Sequence, residues 1–192
     1  MELFRPINSY YDFENIKMVP EGDLITRNLS DMDWMYQDQE AVQELLKEDP
    51  QIYRYYNVDI PEEEGHLQHC ISIINPGKVG NEYNMTKGHF HEIKGTAEIY
   101  YTIQGEGMLF MQSVTDGEPE FEALEMKKGT LSYVPPYWAH RTINTGEEPL
   151  AFIGIYPGEA GHVYGEIEAK GFMKLLIEKD GEPTIIDNPN YK

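Results

Sequence analysis

From residue 51 onward the chain alternates apolar and polar positions in short runs. In AEIYYTIQG, residues 97–105, Glu98, Tyr100 and Thr102 fall on one face and Ile99, Tyr101 and Ile103 on the other, the period-two pattern of a strand. QIYRYYNVDI, CISIIN, EYNMTKGHFH, GMLFMQS, FEALEM, TLSYVP, HRTINT, LAFIGIY and FMKLLIEK read the same way. PGKVG, KGT, GEG, DGEP, KKG, TGEEP and PGEAG punctuate them as turns. Parallel strands would need long helical crossovers, and none appears. The cadence predicts an all-β, antiparallel barrel or jelly roll.

The first fifty residues differ. Residues 1–36 predict an extended arm with a strand near DLITRNLS. Residues 38–48 predict a short helix, because Val42, Leu45 and Leu46 form a stripe at helical spacing and Asp49-Pro50 ends it. We therefore expect a single domain, with residues 1–50 as arm and helix packed on a barrel of residues 51–192.

Composition narrows the function classes. The chain of 192 residues is long enough to bury a core without staples. Its formal net charge of −19 repels nucleic acid and anionic membrane, so neither is expected as a partner. An anionic ligand must be held by local groups. Cys70 stands alone, so no internal disulfide can form, which suits a reducing compartment. With no apolar membrane span and no signal-like N-terminus, a cytoplasmic location is expected.

The chemistry gathers around TKGHFHEIKGTAEIYYTIQGEG, residues 86–107. His89 and His91 share a strand face, and Glu98 opens what should be the next strand. An antiparallel partner strand would bring Glu98 beside the histidine pair. His140 follows the stiff Pro135-Pro136 pair. H-x-H alone is more often a polar strand than a metal site. A carboxylate and a third histidine make it a candidate metal centre. Imidazole and carboxylate suit Fe, Mn, Ni, Co or Zn as divalent ions, and open positions would admit a substrate oxygen. His66 and His69 read as ordinary strand or loop residues, and His162, between glycines, reads first as a surface histidine.

These residues resemble the two signature motifs of the cupin superfamily. HFHEIKGTAEIYYTIQG supplies His89, His91, Glu98 and Gly105, with six residues between His91 and Glu98 where the motif has three or four. GTLSYVPPYWAHRTIN supplies Gly129, Pro135, His140 and Asn144, with Tyr137 where the motif has glycine. TKGHFH, VPPYWAHRT and YPGEAGHVYG together resemble the archaeal cupin-type glucose-6-phosphate isomerases.

The resemblance implies a cupin double-stranded β-helix and an enzyme that interconverts glucose 6-phosphate and fructose 6-phosphate, in glycolysis and gluconeogenesis. It implies one divalent metal per subunit, Fe2+ first and Mn2+, Ni2+ or Zn2+ as alternatives, on His89, His91, Glu98 and His140. It implies sugar-phosphate contacts at Tyr53, Ser72, Thr86, Gly88, Tyr156 and Tyr164, with Tyr100 and Tyr137 lining the pocket and His162 near the sugar. Ser72 keeps the hydroxyl of the family's usual threonine. Lys87 or Arg141 are candidate helpers for the phosphate. Glu98 is the candidate base between C1 and C2, by an enediol route or beside a direct hydride shift, and Tyr156 with His162 the ring-opening pair. A homodimer is implied as well. Two other readings keep the same metal site: a cupin dioxygenase acting on a small organic acid, and a non-catalytic sugar-phosphate binder.

Overall fold

The computed structural model describes residues 4–113 and 118–191. Its strands are β1 (Tyr10–Asp12), β2 (Lys17–Val19), β3 (Asp23–Asn28), β4 (Gln51–Asn57), β5 (Leu67–Ile74), β6 (Lys78–Val79), β7 (Glu82–Tyr83) and β8 (Glu98–Gln104). β9 (Glu106–Ser113), β10 (Phe121–Lys127), β11 (Leu131–Val134), β12 (Trp138–Asn144), β13 (Leu150–Pro157), β14 (Lys174–Lys179) and β15 (Glu182–Asp187) follow. The helices are α1 (Gln39–Leu45) and α2 (Gly165–Lys170).

All of the named strand pairs are antiparallel. A six-stranded sheet runs β11-β8-β13-β5-β4-β3, a three-stranded one β10-β9-β12 and a four-stranded one β15-β14-β7-β6. Phe152, Tyr100, Tyr53 and Ile74 of the six-stranded sheet share one apolar cluster with Leu109, Phe110 and Ile143 of the three-stranded sheet. That cluster is the barrel interior of the expected cupin jelly roll. A second cluster lies on the other face of the six-stranded sheet, where Tyr56, Ile71, Ile73, Ile103 and Ala151 meet Met18. The arm thus covers a sheet face, and its strand β3 extends the same sheet by pairing with β4.

Two expected elements differ in extent. The helix over 38–48 is regular only from Gln39 to Leu45. Asp38 caps it by accepting from the Ala41 N–H at 2.9 Å, and Asp49, at φ 44°, turns the chain out of it. The run EYNMTKGHFH is a strand only at Glu82–Tyr83; beyond that, isolated bridges pin Met85 to Ile143, His89 to His140 and Phe90 to Val163. Gly88 explains the break. It sits at φ 76°, and a Cβ there would lie 2.7 Å from the Phe172 ring and 3.0 Å from the His140 carbonyl. Helix α2 was not expected, since six residues of GEIEAK are too few to show a period.

Candidate metal centre and its cavity

Four side chains converge inside the barrel. His89, His91, Glu98 and His140 each offer a ligand atom, all within 4.8 Å of one another. They come from different places in the fold. His89 and His91 lie on the loop bridged to β12, His140 lies on β12, and Glu98 opens β8. β8 pairs with β11 and β13. Glu98 therefore meets the histidines across the barrel, and the expected strand-neighbour geometry is corrected.

His91 and His140 are oriented from behind. Thr96 Oγ1 donates its proton to the Ile93 carbonyl at 2.7 Å and lies 2.8 Å from His91 Nδ1. Having spent its proton, the hydroxyl accepts from His91 Nδ1–H. That assigns the tautomer and leaves the Nε2 lone pair facing the centre. His140 Nδ1 lies 3.4 Å from the Trp138 carbonyl, which favours the same tautomer. Glu98 Oε2 lies 3.2 Å from His91 Nε2 and 3.0 Å from His140 Nε2. Glu98 Oε1 sits over Gly154, where a Cβ would be 2.7 Å away. Only glycine leaves room for the carboxylate at that point of β13.

The electrostatics suit cation binding. Burial pushes the His89 pKa well down, and the neighbouring His140, His162 and His91 push it further, so the ring is neutral and free to ligate. Burial pushes Glu98 up, but the close approach of the His140 and His91 rings outweighs it and holds the carboxyl below its usual range. Glu98 is thus an anion at neutral pH. The buried His89 Nε2 and His140 Nε2 make no aligned hydrogen bond, despite the short His140–Glu98 separation. Buried, unpartnered nitrogens facing an anion are what a shared cation would satisfy. The donor set and its spacing fit one divalent metal ion.

This centre forms the floor of a solvent-open cavity. His89, Glu98, His140, Tyr53, Ser72, Thr86, Gly88, Tyr100, Tyr156, His162 and Tyr164 all line it. His91 lies behind, buried. Tyr156 and His162 meet edge to face at 5.3 Å, and His162 packs 4.4 Å from His89. Packing pushes the His162 pKa down, to about 4, and the residue's exposure to water at the mouth tempers that push. Thr86 Oγ1 accepts from the Thr142 N–H at 3.1 Å, so its own proton is free to donate into the cavity.

Three expected residues lie elsewhere. Tyr137 is exposed and does not line the cavity; its N–H donates to the Lys94 carbonyl at 2.7 Å. Its φ of 71° explains why the cupin motif has glycine at this position. Arg141 is 3 % exposed, donates to the Lys87 carbonyl at 2.8 and 3.3 Å, and lies 4.4 Å over Phe172. Lys87 lies 3.6 Å from Glu168 and 4.9 Å over Trp34. Neither cation lines the cavity. Tyr55, Asn57, Cys70 and Phe152 line it without having been singled out. The signal was present: Tyr55 and Asn57 follow Tyr53 at a spacing of two, and Cys70 precedes Ser72 by two.

Known proteins show the same picture. The glucose-6-phosphate isomerase family profile matches residues 26–192. The glucose-6-phosphate isomerase of Thermococcus kodakarensis is 48 % identical over 192 residues, covering all of both chains. That of Pyrococcus abyssi is 45 % identical over 190 residues, covering 97 % of each. A solved oxalate oxidase matches with a TM-score of 0.51 at 15 % identity, over 62 % of this chain and 58 % of that one, which speaks to the shared fold alone. By full-length similarity and by profile, this chain belongs to the glucose-6-phosphate isomerase family, whose enzymes interconvert glucose 6-phosphate and fructose 6-phosphate.

Proposed function

We propose that this chain performs its family's aldose–ketose isomerisation at a single divalent metal ion held by His89, His91, Glu98 and His140, with Fe2+ as the working ion and Mn2+, Ni2+ or Zn2+ as substitutes. One observation carries the reading: four ligand atoms lie within 4.8 Å of one another, three of their residues line one cavity, and Tyr, Ser and Thr hydroxyls share its walls. The ion would act as a Lewis acid on the sugar oxygens and stabilise negative charge as hydrogen moves between C1 and C2.

The protein's own groups do the rest. Glu98 presents two different oxygens. Oε2 faces the histidines, while Oε1 lies over Gly154. That division lets Glu98 ligate through one oxygen and hold the transferred proton on the other, the enediol route. Tyr156 and His162, in contact at the mouth, open the sugar ring by handling the O1 and O5 protons. Tyr53, Ser72, Thr86, Gly88 and Tyr164, all lining the cavity, would hold the phosphate, and Tyr100, 5.6 Å from His140, would fix the sugar beside them.

The test is turnover of fructose 6-phosphate by chelator-stripped protein, before and after each metal is restored. Activity that vanishes and returns supports the reading, and the ranking of metals identifies the working ion. Full activity in metal-free protein sinks it. Oxygen consumption with a small organic acid would instead favour the dioxygenase.

The same reading places the chain in the cytoplasm, in glycolysis and gluconeogenesis, as a homodimer. Exposed Phe4, Tyr10 and Phe13 on the arm support pairing, and sedimentation velocity would measure it. No helix among the described residues is long and apolar enough to cross a membrane.

A further inference from the structure

A chain with a net charge of −19 repels a sugar phosphate at long range, so a cation besides the metal is expected near the phosphate. The obvious ones are spent. Lys87 is occupied by Glu168 and Trp34, and Arg141 is buried against the Lys87 carbonyl and Phe172. Arg27 is different. Among the described residues no carboxylate pairs with it, and its guanidinium donates only to the Thr26 carbonyl, 3.0 Å away and open to water. That bond exchanges at little cost.

Arg27 lies outside the cavity lining but beside its tyrosine wall. It is the direct ladder partner of Tyr53, and Ile25 is the partner of Tyr55, so Arg27 shares the face that carries both cavity tyrosines. A bulge between Arg27 and Asn28 sets Tyr53 and then Gln51 against consecutive residues of β3. Bulges of this kind re-aim a side chain beside a site. Arg54, by contrast, is on the opposite face and donates to the Ile16 carbonyl in the arm. Burial pushes the Tyr53, Tyr55 and Tyr164 hydroxyl pKa values up, and the Arg27 charge acts on all three in the opposite direction. Its field therefore reaches the tyrosine wall.

We propose that Arg27 is a substrate-binding residue, swinging from the Thr26 carbonyl to pair with the phosphate dianion at the Tyr53–Thr86 end of the cavity. The proposal rests on the phosphate placement given above. A guanidinium with five donors suits a phosphate better than a hydroxyl wall alone.

The experiment is steady-state kinetics of the metal-loaded enzyme with Arg27→Gln, Arg27→Lys, Tyr53→Phe and Thr86→Ala, with thermal midpoints as a check on folding. Arg27→Gln should raise KM for fructose 6-phosphate about tenfold, with a smaller change in kcat, and weaken competitive inhibition by inorganic phosphate by a similar factor. Arg27→Lys, which keeps the charge, should recover part of both. An unchanged KM and phosphate inhibition in Arg27→Gln overturns the proposal. If Tyr53→Phe and Thr86→Ala still raise KM in that case, the phosphate end stands without Arg27. If they too leave KM unchanged, the phosphate placement itself is wrong.

Discussion

The two faces of the six-stranded sheet are made by the same strands and do opposite work. On β4, β5, β8 and β13 the inward positions carry Tyr53, Tyr55, Cys70, Ser72, Glu98, Tyr100, Gly154 and Tyr156, which line the cavity or make room for its floor. The outward positions, one residue away, carry Tyr56, Ile71, Ile73, Ile103 and Ala151, packed under the arm. Around the cavity the inner face carries hydroxyls and ionisable groups; the outer face is apolar and packs against the chain's own N-terminal arm. A slip of one residue would exchange them, so the apolar outer face helps to fix the register on which the inner chemistry depends. The comparison predicts that inner substitutions cost turnover, and outer ones cost stability.

The largest expected effect is at Glu98. Glu98→Gln keeps the shape but removes the anion, and should lower kcat by roughly a thousandfold, within the range for a lost general base. Its thermal midpoint in the metal-free state should stay near that of the parent. Unfolding of the variant would blur the distinction between the faces.

On the outer face, Ile73 is fully buried. Ile73→Ala should destabilise the fold by about 3 kcal/mol through lost burial and a residual cavity. Denaturant unfolding measures that cost, and kcat per folded molecule should hold. A large fall in kcat would show that the outer face transmits strain to the floor. Gly154→Ala sharpens the contrast, because it adds one methyl group on the inner face. The new Cβ would stand 2.7 Å from Glu98 Oε1 and must displace the carboxylate. Displacement on the scale of an ångström should cost about a hundredfold in kcat. Wild-type turnover in Gly154→Ala would mean that Glu98 Oε1 has no role in the chemistry.

Much of this was legible in the sequence because strand faces follow parity. Glu98, Tyr100 and Thr102 are buried as alternation requires, and the three histidines with Glu98 meet as their motif spacing suggests. What parity misses is decided by tertiary approach. Gly154 looks like any strand glycine until the Glu98 carboxylate is seen against it. Arg141, adjacent to His140, reads as a ready cation, yet its strand turns it into the core. Tyr137 sits inside a recognisable motif, but the left-handed backbone that the motif preserves says nothing of where its ring goes. The loop 84–90 alternates like a strand and is held instead by single bridges, because Gly88 bends it.

The smallest expected effect tests the layer behind the inner face. Thr96 meets the centre through His91: its hydroxyl donates to the Ile93 carbonyl and faces His91 Nδ1. Thr96→Val keeps the volume and removes the hydroxyl. The His91 Nδ1–H then has only the Thr96 carbonyl, at 3.3 Å, as a weaker acceptor. The ring loses part of its orientation, and metal affinity should fall by about tenfold, at the lower end for loss of an outer-shell partner. Competition with a chelator of known affinity would measure the loss directly. Turnover at saturating metal should recover most of the parent value, since the four ligands remain. If affinity is unchanged, the Thr96 carbonyl alone orients His91. If saturating metal fails to restore turnover, the His91 tautomer contributes to the reaction itself as well as to holding the ion.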